Sequence, residues 1–303
     1  MTVSPEELAD VADVDCTGHN ALVTGSTSGI GRAAALALGR LGADVVVHGR
    51  DTDAGAAVVD ELEDIGVDAT FVAADFASVE AVRELADTVR DGTDGLDILI
   101  NNAGGLFREG RLTDLGVEYT FHVNHLSPSL LTAELLGHLQ EGARVVTTAS
   151  SAHRGSALDL GRVEHVDSYS ATWAYGHSKL ANVLFAAELA RRLDGTDRSI
   201  TSNSVHPGAI PGSGFSRFLP GPIPRLAAAL SAVPGVATVA DGAAELLVPA
   251  VSPRTADISG RYFAGQQPAM PSDAARDRDA ARRLWTYSAD VLGTDTPLNG
   301  AES

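Results

Sequence analysis

One lysine stands among 303 residues, and it follows a tyrosine by four positions: Tyr175-Gly176-His177-Ser178-Lys179. On a helix, positions i and i+4 share a face, so the two side chains are neighbours. A phenol of pKa near 10 is a poor base at neutral pH. An ammonium one turn away stabilises the phenolate and lowers that pKa, and a second cation beside the phenol adds to the effect. Such a pair can protonate an alkoxide, or deprotonate an alcohol, while a hydride moves. The other 21 of the 22 basic residues are arginine. In a chain emptied of lysine, the remaining one is expected to do what a bulkier, planar, permanently charged guanidinium does not.

A hydride needs a carrier, and the N-terminal third offers a cradle for one. Thr24-Gly25-Ser26-Thr27-Ser28-Gly29-Ile30-Gly31 follows a short apolar run and opens a helical pattern. Glycines at 25, 29 and 31 let the backbone turn tightly, approach a pyrophosphate and pack helix on strand. The helix N-terminus adds free N–H groups and a partial positive charge. Gly25, Ser28, Gly29, Ile30 and Gly31 are therefore candidate cofactor contacts. A dinucleotide fold that prefers NAD usually places an acid at the end of the second strand, for the ribose 2′-OH. Here that end reads His48-Gly49-Arg50-Asp51, and Arg50 suits a 2′-phosphate. The reading is NADP(H) over NAD(H), with the adjacent Asp51 weighing the other way.

These residues need a scaffold, and the hydrophobic pattern supplies one. Short β-rich runs at 21–24, 44–48, 69–73, 96–100, 143–148 and 199–205 alternate with helical patterns at 30–41, 52–65, 78–90, 114–139 and 173–193, and a seventh strand is expected at 260–264. Apolar strands separated by helices mean a parallel sheet covered on both faces. The expected fold is α/β: a single doubly wound Rossmann domain with a parallel seven-stranded sheet. Its boundaries are read as an N-terminal extension at 1–18, the nucleotide-binding domain at 19–270, and a C-terminal helix and tail at 271–303. Within the domain, the Gly/Pro-rich stretch 208–236 reads as a substrate lid with Phe215, Phe218, Leu219 and Leu226 as its apolar residues. At 273–293, Leu284, Trp285 and Val291 form the inner face of an amphipathic helix. The long helices at 114–139 and 173–193 offer a face on which copies of the chain could pair as a homo-oligomer.

Composition narrows the partners to small molecules. Forty acids against 22 bases give a net charge of −18, a field that repels nucleic acid and anionic membrane. One cysteine, Cys16, excludes an internal disulfide framework and a Cys-rich metal site. The nine histidines are scattered, and no metal is expected. No apolar run reaches the roughly 18 residues a membrane span needs, and the acidic start is unlike a secretory signal, so a cytoplasmic location is expected. The acidic excess with a single lysine also reads as halophilic. At about 1 M salt the Debye length is about 3 Å, so self-repulsion is screened. GC-rich codon usage explains arginine and alanine but not a charge of −18.

Taken in order, TGSTSGIG (24–31), Asp75, NNAG (101–104), FHVNHL (121–126), VVTTASSAH (145–153), YGHSK (175–179) and VHPG (205–208) resemble the classical short-chain dehydrogenases/reductases over about residues 17–265, and most of all their retinol-dehydrogenase-like branch. The resemblance implies roles. Tyr175 is the general acid/base, Lys179 lowers its pKa and binds the nicotinamide ribose, Ser150 bonds the substrate oxygen, and Asn124 supports a water-mediated proton relay. Asp75 binds adenine, Asn102 the adenosine-side ribose, and Pro207, Gly208 and Ile210 border the nicotinamide, with Phe76, Ala103 and Gly104 as further cofactor contacts. Ser150, rather than Ser151, rests on aligning 144–149 with the fifth strand. The chain departs from the branch in reading Ala149-Ser150 where Ser-Ser is usual, in having Pro211, Gly212 and Ser213 where a threonine often follows Ile210, and in showing no membrane anchor. The implied activity is NADP(H)-dependent hydride transfer on an apolar aldehyde, ketone or retinol- or isoprenoid-like alcohol. The alternatives are a non-catalytic NADP(H) sensor, which needs no proton relay, and a nucleotide-sugar epimerase, which needs a larger C-terminal domain.

Overall fold

The computed structural model describes residues 3–208, 210 and 237–294. Six strands run parallel where the alternating pattern places them: β1 Asn20–Val23, β2 Asp44–Gly49, β3 Ala69–Ala73, β4 Leu96–Asn101, β5 Leu139–Thr148 and β6 Thr201–Val205. A short β7, Tyr262–Phe263, continues the parallel set. The sheet has eight strands rather than seven. The added β8, Pro268–Ala269, folds back antiparallel on β7, and a two-residue strand carries no periodicity to read. Strand order is β3-β2-β1-β4-β5-β6-β7-β8. The order reverses between β1 and β4, which opens a crevice at their carboxyl ends.

The central strands β1, β2 and β4 and the second half of β5 bury both faces and are largely apolar, whereas the edge strand β3 is half exposed and the buried β6 is polar. Leu22, Val46, Leu99 and Val145 face one core, and Val23, Val45, Val47, Ile98, Ile100 and Val146 face the other. The second core is closed by α1 Pro5–Leu8, α2 Gly29–Arg40 and α3 Thr52–Ile65, with Ala34, Leu38, Val58 and Leu62 pointing inward. The first is closed by α4 Val79–Gly92 and by the segment expected as one helix over 114–139. That segment starts later and is not uniform. It comprises α5 Tyr119–Phe121, a π-helical turn at His122–Leu126, α6 Ser127–Leu135 and a 3-10 turn at Leu136–His138. Next comes α7, Ala171–Asp194, a 24-residue helix buried along most of its length. The lid expected at 208–236 lies outside the described residues except for Gly208 and Ile210.

Among the described residues, two α-helices follow β6. The first, α8 Val239–Val251, was not expected. Thr238 and Asp241 form a capping box at its start, and that Thr-x-x-Asp spacing is the signal in the sequence. The second, α9 Arg278–Leu292, lies on α7. Trp285 stacks on Phe185 with ring centroids 5.7 Å apart, and the Arg192 guanidinium sits over the indole at 4.6 Å. Ser288 bonds His125 Nε2 at 3.0 Å. The α6–α7 face is thus covered by the chain's own last helix. Among the described residues, no helix is long and apolar enough to cross a membrane.

Buried imidazoles make the fold acid-sensitive, four of them most strongly. Burial pushes His48, His122 and His177 down to about 4 and His125 down to about 3. Below an ordinary value near 6.5, the unfolded chain binds protons that the folded chain refuses, so acid favours unfolding. The contribution of these rings to denaturant midpoints is expected to be constant above pH 7. The midpoints should fall between pH 6.5 and 4, each ring costing up to about 1.4 kcal/mol per pH unit. A flat midpoint across that window would contradict the burial of these rings.

Candidate active site

The end of β1 sets the first wall. Gly25 turns with φ +67°, and the chain enters α2 from Ser28. The helices α3, α4, α7, α8 and α9 start on side-chain caps from Asp51, Ser78, Ser170, Thr238 and Asp277. Ser28 caps nothing through its side chain, so the first N–H groups of α2, at Gly29 and Ile30, lack that partner. Gly31 is required by space. A Cβ there would overlap the Gly25 carbonyl and stand 2.5 Å from Asn102 Nδ2.

The crossover side of the crevice is stitched to this loop. Thr24 Oγ1 accepts the N–H groups of Asn102 at 2.9 Å and Ala103 at 3.0 Å. Asn102 Nδ2 donates to Thr24 O at 2.9 Å. Thr24 was missed as a site residue, although its place directly after a strand and before the glycines is visible in the sequence. At the ends of β2 and β3, Arg50 and Asp75 approach to 4.0 Å with both side chains exposed, and Phe76 is buried. Past β6, Pro207 is buried and Gly208 exposed. Ile210 is buried and meets Ile30 where both pack on Gly242 of α8, so the segment after β6 reaches the phosphate-loop side.

Asn124, Ser150, Tyr175 and Lys179 converge at the ends of β4 and β5. The Glu118 carboxylate caps the entry to α5, accepting from Thr120 N at 2.7 Å and Phe121 N at 3.0 Å. The π-helical turn then aims Asn124 inward, a distortion that frequently marks functional positions. Asn124 Nδ2 donates to Gly105 O at 2.9 Å and Ser178 Oγ at 3.0 Å, and Asn124 Oδ1 accepts the Gly105 N–H at 2.9 Å. Ser178 Oγ in turn donates to Tyr175 O at 2.8 Å. A Cβ on Gly104 would lie 2.7 Å from Asn124 Oδ1 and 3.7 Å from Lys179 Nζ, which measures how closely the three pack.

Lys179 is buried, and its Nζ donates to Thr148 O at 2.9 Å. It lies 5.7 Å from the Tyr175 ring centroid. Burial pushes this amine down to about 8. Asn182 Nδ2 joins it on the same carbonyl at 3.0 Å. Burial raises the Tyr175 phenol, and a hydrogen bond with the Ser150 side chain pulls it back. Burial disfavours charge on both groups, yet an amine near 8 is still mostly ammonium at neutral pH, so the Tyr175 phenolate gains one cation from Lys179 and needs further positive charge beside it. Ser150 Oγ also accepts the Ala152 N–H at 3.2 Å, opening a 3-10 turn at Ser151–Gly155. His153 Nδ1 donates to Ser150 O at 2.6 Å, and its Nε2 accepts the Ser272 N–H at 3.1 Å. Between the paired residues, His177 points away: Nε2 accepts the Asp159 N–H at 3.0 Å, and the ring stacks on Trp173.

A family profile described as short chain dehydrogenase matches residues 19–217. Over 292 residues the chain is 39% identical to "Dehydrogenase/reductase SDR family member 13" of Bos taurus, covering 94% of this chain and 76% of that protein. Over 302 residues it is 35% identical to "Retinol dehydrogenase 13" of Homo sapiens, covering 92% and 86%. Among solved structures, a short chain dehydrogenase from Burkholderia cenocepacia J2315 in complex with NADP matches with a TM-score of 0.65 and 30% identity, over 86% of this chain and 99% of that one.

Replacing Gly31 with alanine tests the loop geometry. The Gly25 carbonyl is backbone and cannot yield cheaply, so Gly31→Ala is expected to cost about 1–3 kcal/mol of stability. Thermal unfolding reads that loss, and an unchanged midpoint would show that the loop tolerates a side chain there.

Proposed function

Because the chain belongs to the short chain dehydrogenase family of oxidoreductases, we propose that it moves a hydride between NADP(H) and a carbonyl/alcohol pair. The observation that carries this reading is the convergence of the Tyr175 phenol, the Ser150 hydroxyl and the buried Lys179 amine at one strand end. The residues fit a dinucleotide. The α2 terminus has no side-chain cap, Gly31 lets the start of α2 close against the Gly25 carbonyl and Asn102, and Arg50 stands exposed at the β2 end beside Asp75. When bound, the nicotinamide supplies the hydride and, once oxidised, a positive charge near the phenol.

In the reducing direction, Ser150 holds the substrate oxygen and Tyr175 gives it the phenolic proton. Lys179 stabilises the phenolate and, through the Asn124 side, draws a replacement proton from solvent. Gly25, Ser28, Gly29, Ile30 and Gly31 hold the pyrophosphate. Asp75 and Phe76 border adenine, Asn102, Ala103 and Gly104 border the adenosine ribose, and Pro207, Gly208 and Ile210 border the nicotinamide. Arg50 selects the 2′-phosphate. The substrate is an apolar aldehyde, ketone or isoprenoid-like alcohol, in keeping with relatives named retinol dehydrogenase and polyprenol dehydrogenase. The working environment is concentrated salt, where a charge of −18 is screened.

The test is NADPH consumption against a panel of apolar aldehydes and ketones in molar salt. Tyr175→Phe is expected to lower kcat by at least about 10²-fold while nucleotide binding persists. Arg50→Ala is expected to erase a preference for NADPH over NADH. Tight nucleotide binding without turnover on any substrate would overturn the enzymatic part. Full activity and stability in dilute buffer would overturn the salt requirement.

A further inference from the structure

His48 occupies an unusual place on β2. It is buried, and both ring nitrogens are engaged. Nδ1 accepts the Gly25 N–H at 3.1 Å. That fixes the proton on Nε2, which donates to Ala74 O at 3.2 Å. The ring lies flat against Phe76, centroids 4.5 Å apart and planes 24° from parallel. The His48 backbone grips the same loop. Its N–H donates to Ser26 Oγ at 3.0 Å, and its carbonyl accepts the Ser26 N–H at 2.9 Å. On the other side of the Gly25 residue, Asn102 Nδ2 reaches the Gly25 carbonyl at 3.4 Å. One neutral ring therefore joins the loop after β1 to the segment after β3, across two strand spacings of roughly 4.8 Å each.

We propose that His48 is a positioning residue for the dinucleotide. Its imidazole fixes, through Gly25 and through Ala74 with Phe76, the distance between the pyrophosphate loop and the adenine wall. This rests on the nucleotide-binding reading above. A dinucleotide must touch both walls at once. A strut that sets their separation before binding spares the ligand that ordering cost. Only a neutral side chain with an acceptor on one edge and a donor on the other can hold both partners. Burial, which pushes the ring down to about 4, keeps it in that form.

Two variants separate the strut from mere filling. His48→Phe keeps a ring against Phe76 but removes the acceptor and the donor. His48→Gln keeps one of each. NADPH titration by fluorescence should show about tenfold weaker binding for His48→Phe and about wild-type binding for His48→Gln. In turnover, the loss in His48→Phe should fall on the KM for NADPH and leave kcat within about twofold. Equal affinity of folded His48→Phe and wild type overturns the proposal, as does an equal loss in His48→Gln. If wild type itself binds no NADPH, the nucleotide-binding reading falls and this inference with it. If His48→Phe fails to fold, nitrogen NMR of the wild-type ring decides. A neutral Nε2–H tautomer supports the strut, and an Nδ1–H or doubly protonated ring overturns it.

Discussion

The Lys179 amine against the Thr148 carbonyl is the contact on which the site depends. Burying an amine costs free energy, visible in its displacement to about 8, and that cost is tolerable only where the surroundings supply fixed acceptors. The parallel sheet provides one, because β5 ends at Thr148 and leaves its carbonyl open at the carboxyl edge. The length of α7 brings Lys179 and Asn182 to that same oxygen while Tyr175, a turn earlier, reaches Ser150. Neighbouring elements then have little freedom. The π-helical turn must present Asn124 to Gly105 and Ser178, or the backbone beside Lys179 loses its lateral support.

Much of this was readable from residue order. Strongly apolar strands such as 44–48 and 96–100 have one use in an alternating α/β pattern, a parallel sheet covered on both faces, although such runs carry no alternation from which to read register. Tyr175 and Lys179 were conspicuous because helical spacing alone brings them together. Other features were hidden for physical reasons. The break at His122–Leu126 lies just before Pro128, which has no N–H for the Asn124 carbonyl; the proline marks an irregularity, but that Asn124 turns inward depends on tertiary partners. The two-residue β8 is too short to show alternation. The role of His48 depends on partners 23 and 26 residues away, which no local window contains. Thr24 and the capping box of α8 were within reach, since both are short-range signals.

Arginine does different work in different places here. Buried at the helix pair, Arg192 bonds Glu188 at 2.8 Å while covering Trp285, so a charged group completes an apolar contact. Arg162 similarly lies over Trp173 at 3.9 Å. These planar groups stack where an ammonium would not, and they tie α9 and the loop before α7 to the long helix that carries the reactive pair. At the surface, pairs such as Arg254 with Asp10 and Arg282 with Asp279 are exposed and contribute little each. Stability therefore rests on the two cores and on the few guanidiniums that enter them.

A molecule with a single side-chain amine is its own site-directed label. Apart from the N-terminal α-amine, a reagent that modifies amines has one target, and that target is the interior group bound to the Thr148 carbonyl. A mass increment on the peptide around residue 179 would therefore count openings of the pocket, and its suppression by a bound molecule would report occupancy without a reaction having to be followed. The same scarcity forbids ordinary lysine cross-linking and random amine immobilisation through side chains, because the surface carries no ε-amine among the described residues.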